Sequence, residues 1–156
     1  MTAGEERTAE ALAASGIEHT IVRHGQVSSL EEAAERRGLR PEQIVKTLVV
    51  RRGADDYLFV LVPGGRQISW PKLRALLDVN RLSMPDADTA REVTGYERGT
   101  ITPFGSLSPW PVIADTHVVG TVSIGGGGHG VSATVPAADL VAVLGAQVAD
   151  VTDPAG

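Results

Sequence analysis

Two short runs rich in β-branched residues constrain this chain more than any other feature. They are IVKTLVV, Ile44–Val50, and YLFVLV, Tyr57–Val62. Each is too short for an ordinary helix, and Pro41 before the first and Gly64-Gly65 after the second bound them as turn signals. Apolar runs of this length read as buried strands. Such strands need cover, and the remaining sequence supplies amphipathic helices with recognisable ends. Glu5–Ala14 reads as a helix stopped at Gly16, and Ser29 with Glu32 forms an S-x-x-E capping box for a helix ending at Gly38. Ser69 can cap a helix with Trp70, Leu73, Leu76 and Leu77 on one side. Asp86 can cap another, with Ala87, Ala90 and Val93 at helical spacing and Gly95 as its stop. Pro136–Leu144 reads as a last helix, closed by Gly145.

Further strands are expected at His19–Val22, Pro111–Ala114, Thr121–Ile124, Val131–Val135 and Gln147–Val151. A chain of 156 residues can bury one core. The expected fold is therefore α/β: a single domain over residues 1–156, with a mixed, largely antiparallel sheet curling toward a barrel and flanking helices.

The stretch SIGGGGHGVS, Ser123–Ser132, satisfies G-x-G-x-x-G between Gly125 and Gly130. A dinucleotide fingerprint must open a helix, but V-S-A-T-V follows here with the period of a strand. A P-loop fails too, because no Gly-Lys-Ser/Thr follows. What remains is a hairpin loop whose flanks bury Val122, Ile124, Val131, Ala133 and Val135 on one face. Fewer residues would close a hairpin. Either the loop is a loose turn, or its glycines let something approach the backbone closely.

Composition excludes several chemistries. With no cysteine, disulfides, thiol catalysis and cysteine-based zinc sites are ruled out. His19, His24, His117 and His129 lack metal-ligand spacing, so neither a metal nor another cofactor is expected. No apolar run approaches the roughly 18 residues of a membrane span. The acidic N-terminus MTAGEERTAEALA lacks a signal peptide's basic and apolar regions, and a cytoplasmic protein is the simple reading. The net charge is −5, yet residues 36–81 hold ten Lys and Arg against four acids, and none follows Arg98. That basic middle either faces a polyanion or is a solvated surface.

Two places stand out for chemistry. Lys46 shares a strand face with Ile44, Leu48 and Val50. It either snorkels from the strand end or stands as a cation at a cavity rim, aimed at phosphate or carboxylate. Thr94–Gly105 (TGYERGTITPFG) is a helix stop followed by a loop in which Gly99 can adopt positive φ and present its amide to an oxyanion. No G-x-S-x-G elbow and no obvious protein nucleophile is present, so catalysis would rest on positioning and electrostatics.

These pieces together resemble the YbaK-like aminoacyl-tRNA deacylases, which also occur as the editing insertion domain of bacterial prolyl-tRNA synthetases. The likeness covers roughly residues 5–153. It rests on Lys46-Thr47-Leu48, on Thr94-Gly95-Tyr96 with Gly99-x-x-x-Pro103, on the glycine loop, and on the tail PAADLVAVLGAQVADV. The resemblance implies a trans-editing hydrolase that cleaves the ester between a wrong amino acid and the 3′-terminal adenosine of a tRNA. Its partner is the 3′ end of an aminoacyl-tRNA, with association with prolyl-tRNA synthetase left open. It implies Lys46 and Gly99 as catalytic positions, Lys46 orienting the tRNA end and the Gly99 amide holding the substrate carbonyl. The terminal ribose 2′-hydroxyl helps to activate water. Thr47, Thr94, Tyr96, Pro103, Gly127, Gly128 and His129 are implied to contact the substrate, His129 shaping the amino-acid pocket. GGGGHG departs from the more basic loop of some members, so cysteine, alanine, serine and threonine remain open as the amino acid removed. The rival readings are a non-catalytic aminoacyl-tRNA or nucleotide-binding module and a small-molecule ester hydrolase.

Overall fold

The computed structural model describes residues 1–25, 27 and 29–156. Its centre is a four-stranded sheet in the order β2 (Val45–Gly53), β3 (Asp56–Pro63), β5 (Val112–Asp115), β8 (Gln147–Ala149). β2 and β3 are antiparallel, and β5 and β8 add parallel strands. A second sheet of β1 (Thr20–Arg23), β7 (Val131–Pro136) and β6 (Thr121–Gly125) is wholly antiparallel. One bridge, Ile44 to Ser123, joins the two sheets edge to edge. The combined row curls around a shared core but stays open, its ends being β1 and β8.

The apolar run of β3 is continuous because both its faces are covered. Tyr57, Phe59 and Leu61 point into one core with Leu12, Ile124, Ala133 and Leu140. Leu58, Val60 and Val62 alternate into a second core with Val50, Leu73 and Val151. Burying each large side chain of this kind contributes about 1.5–3 kcal/mol.

The helices start and stop where their caps stand. α1 (Ala3–Ser15) begins two residues earlier than expected, because Thr2 and Glu5 make a capping box (Glu5 N to Thr2 Oγ1, 3.2 Å; Thr2 N to Glu5 Oε2, 3.0 Å). α2 (Leu30–Arg37) and α3 (Trp70–Leu77) are capped by Ser29 and Ser69, and α4 (Ala87–Thr94) by Asp86. α1, α2, α4 and α5 (Ala137–Leu144) end on left-handed glycines, and α3 ends on Asp78. One small ladder escaped the sequence reading: β4 (Arg66–Ile68) pairs with β9 (Thr152–Pro154). The expected strand Gln147–Val151 stops at Ala149, because the Val151 amide turns aside to Asp115 Oδ1 (3.1 Å).

The edge of β2 positions the site. Beyond the Ile44–Ser123 bridge β6 diverges, and at the far end Arg51 exchanges both backbone bonds with Ser83 (2.7 and 3.1 Å). Between these ties the outer edge of β2 faces no strand among the described residues. In an antiparallel pair alternate residues turn their backbone polar groups to opposite edges. Since Arg51 directs its backbone groups outward, so do Val49 and Thr47. The Phe59 amide opposite Val49 accordingly points away from β2, to Pro111 O (2.8 Å).

Candidate active site

A cleft of about 670 Å³ opens along that free edge. Its floor is residues 44–49, and its walls come from α2, from the start of α4 with Met84 and Pro85 before it, and from residues 98–101. Lys46, Thr47 and Gly99, far apart in sequence, all line it. Lys46 is exposed, and neither it nor Arg98 across the cleft meets a carboxylate among the described residues. Thr47 is 7% exposed, and its hydroxyl has no partner among those residues.

Gly99 occupies the third position of a turn closed by Thr100 N to Glu97 O (3.0 Å). Its φ of +88° and the absence of Arg98 from the positive-φ residues make this a type II turn, which demands glycine there. Nothing lies within 4 Å of where a Cβ would stand, and the Gly99 amide meets no acceptor among the described residues. A free, preset amide on an open cleft can hold an oxyanion.

Thr94, Tyr96 and Pro103 do not line the cleft. Thr94 is buried, and its hydroxyl serves the end of α4, donating to Ala90 O (2.7 Å) and accepting from Tyr96 N (3.1 Å). Tyr96 is buried beneath α1, donates to Phe104 O (2.6 Å) and meets the Thr8 hydroxyl (3.0 Å). Arg7 lies 4.9 Å over its ring and donates to Gly95 O and Gly105 O. The knot fixes both ends of the loop that carries Gly99.

Gly127 and Gly128 also lie away from the cleft, buried against the first turn of α1. A Cβ on Gly127 would strike Thr8 Oγ1 and Gly4 O, and one on Gly128 would stand 2.6 Å from Glu5 Cγ. The Gly127 amide donates to Thr100 O (3.2 Å), and a Cβ on Gly125 would lie 2.6 Å from Ile101 O. The backbone these glycines admit thus belongs to the protein itself. His129 is exposed at the loop tip, with Nε2 3.0 Å from Glu97 Oε2, beside the Gly99 turn but outside the cleft lining. Under the same loop, the Glu5 carboxylate accepts from the Thr2 amide (3.0 Å) and from Arg23 Nη2 (2.6 Å). These bonds outweigh burial and lower its pKa from 4.5 to about 2.

Charge in the cleft is uneven. Three cations, Arg37, Lys46 and Arg98, face one carboxylate, Asp86. Asp86 Oδ1 accepts the Thr89 amide (2.8 Å), which caps α4 and holds the carboxyl below its ordinary range, making it a poor base. Arg37 escaped the sequence reading, because an arginine in a helix's last turn looks like a dipole partner. It donates through Nη1 to Ser123 Oγ (2.9 Å), and burial pushes its pKa down. Much of the basic middle is neutralised locally, Arg36 by Glu32, Arg40 by Glu42, Arg52 by Asp56 and Lys72 by Asp150 and Asp153. Away from the cleft, buried Asp115 is hydrogen-bonded to His117 Nδ1 (2.8 Å) and to the His117 and Val151 amides. Desolvation raises its pKa, but these bonds prevail and hold it low, so the pair serves as a latch on Val151. Among the described residues no three His, Asp or Glu side chains gather where they could hold one metal ion.

The family model for the aminoacyl-tRNA editing domain matches residues 24–143. Proline–tRNA ligase of Thermosipho melanesiensis is 35% identical over 101 residues, which is 65% of this chain and 18% of that protein. The enzyme of the same name from Halalkalibacterium halodurans is 28% identical over 107 residues, 69% of this chain and again 18% of the relative. The chain thus spans under a fifth of the curated relatives it matches. A solved structure described as that of a candidate trans-editing enzyme for prolyl tRNA synthetase superposes with a TM-score of 0.86 at 27% identity. The match covers 98% of this chain and 99% of that one.

Proposed function

The chain belongs to the aminoacyl-tRNA editing domain family, hydrolases of the aminoacyl ester, and we propose that it acts in trans to deacylate mischarged tRNA for proline or a related tRNA. Residues 1–156 then work as one editing domain, in the cytoplasm where charged tRNA circulates. Among the described residues no helix is long and apolar enough to cross a membrane. Action in trans is supported by the match to nearly the whole of a chain described as a candidate trans-editing enzyme. Alanine, serine, threonine and cysteine are the amino acids proposed for removal, and contact with prolyl-tRNA synthetase follows from the same reading.

The observation that carries the proposal is that Lys46 and Gly99, whose amide has no acceptor among the described residues, line one cleft with an excess of cations. Lys46 orients the 3′-terminal nucleotide, with the Thr47 hydroxyl beside it. The Gly99 amide donates to the developing oxyanion as water adds to the ester carbonyl. The carbon–oxygen bond to the ribose then breaks and the proton passes to the ribose oxygen, releasing the amino acid and an uncharged tRNA. Asp86 is occupied as a helix cap, so the neighbouring ribose hydroxyl orients the water and the enzyme contributes position and field.

The test is single-turnover deacylation of tRNAs mischarged with alanine, serine, threonine and cysteine, beside simple aminoacyl esters. Rapid release from at least one mischarged tRNA is expected. Release from simple esters with all four tRNAs left intact rejects the reading.

A further inference from the structure

Among the described residues, Arg37 is the cleft cation that the fold ties in place. Its Nη1 donates to Ser123 Oγ (2.9 Å), and Ser123 is wholly buried and held by the Ile44–Ser123 bridge that joins the two sheets. One direction of the guanidinium is therefore spent on the protein. The other, its Nε and Nη2 side, is not: among the described residues buried Nε has no hydrogen-bond partner and Nη2 makes no hydrogen bond. That side is the pair of parallel donors that matches two oxygens of a phosphate or carboxylate. A buried donor left unpaired carries a cost that an acceptor would relieve. Lys46 and Arg98 are exposed instead and have no comparable tie.

The oxyanion site and the anion site differ in place. Gly99 stands on the wall made by residues 98–101, while Arg37 stands at the end of α2, beside the junction of the sheets. A substrate that presents its ester to Gly99 and an anion to Arg37 must carry both. In an aminoacyl-tRNA the first anion beyond the esterified ribose is the phosphodiester joining the last two nucleotides. We propose that Arg37 binds this phosphodiester through its Nε and Nη2 donors and so fixes how deeply the terminal adenosine enters the cleft. This rests on the deacylase reading above.

The test compares two substrates that differ by one phosphodiester: the aminoacyl ester of adenosine, and the same ester of cytidylyl-(3′→5′)-adenosine. Alanyl, seryl, threonyl and cysteinyl forms are assayed, and the readout is the ratio of kcat/KM between the two substrates. Wild type should favour the dinucleotide by about ten- to hundredfold, the range for a hydrogen bond to a charged group. Arg37→Met should bring the ratio close to one. Arg37→Lys keeps the charge and the fold but not the paired donors, and should give an intermediate ratio. A wild-type ratio near one overturns the assignment. So does a wild-type-like ratio in both variants, even if both substrates slow together, because Arg37 would then be only a tie to β6. Failure of the wild type on every mischarged tRNA is a separate result: it sinks the deacylase reading and this assignment with it.

Discussion

The turn at Gly99 and the hairpin at Gly125–Gly130 look alike in sequence, since both are glycine-bearing loops with room for a ligand. Their surroundings differ. Around Gly99, its chain neighbours aside, no atom of the described residues lies within 4 Å of a would-be Cβ, and the turn lines the cleft. Around Gly127 and Gly128 the space is filled by Gly4, Glu5 and Thr8 of α1. One loop uses glycine for its backbone angle and leaves the space to a substrate. The other uses it to bring three segments of the protein into contact. A glycine-rich loop is therefore evidence of close approach, and only the packing says what approaches.

Substitutions should break this comparison in opposite ways. Gly127→Ala should show the largest effect, on folding. The new methyl meets Gly4 O and Thr8 Oγ1, and φ is +82°. Overpacking costs about 1–3 kcal/mol and a left-handed φ about 1–2 kcal/mol, so chemical denaturation should show a loss of about 2–5 kcal/mol. Gly99→Ala should cost only the φ term, about 1–2 kcal/mol, but lower single-turnover deacylation by about 10²–10³-fold through the displaced amide. If both variants lose stability equally and keep their rate, the contrast between the loops is void. Lys46→Ala, on the strand that floors the cleft, should reduce the same rate by about ten- to a hundredfold with an unchanged melt, since the exposed lysine has no ion-pair partner among the described residues to lose.

Smaller effects sharpen the picture. His129→Ala removes the pair with Glu97, a side-chain contact between the packed loop and the open one. It should reorder the amino acids removed by about tenfold, as modest reshaping of a pocket does, more than it slows the best substrate. An unchanged ranking would make His129 a hairpin residue alone. The least change should come from Glu5, which ties α1 under the packed loop. Its folded-state pKa is lowered from 4.5 to about 2, so its stabilising contribution is present above pH 4.5 and lost as pH falls toward 2. Thermal melts of wild type and Glu5→Gln should therefore differ at neutral pH and converge across that window. A constant gap would show that the carboxylate's charge is irrelevant there.

The caps and the apolar runs were legible because their causes are local. Ser29, Ser69 and Asp86 each bond a backbone amide three residues on, and the unbroken run of β3 reports a strand covered on both faces. The β4–β9 ladder was not legible, since its three-residue strands have no pattern of their own and exist only because distant segments meet. At the site, the positive φ of Gly99 was readable from the residue type and its place after a helix stop. Whether Thr94 and Tyr96 face a ligand or the interior was not, because a hydroxyl near a glycine looks the same either way. Arg7 and α1, which bury Tyr96, come from the other end of the chain. Arg37 was hidden for the same reason, as its meaning depends on Ser123, eighty-six residues away.

The free edge of β2 has a consequence for the rate at which the molecule trades protons with solvent. In most central strands every amide is locked and exchanges only when the sheet opens. Here Lys46 and Leu48 direct theirs to β3, while Thr47 and Val49 direct theirs toward the cleft. Deuterium uptake along this one strand should alternate residue by residue, slow at 46 and 48 and fast at 47 and 49, and the fast pair should fall silent once the cleft is filled.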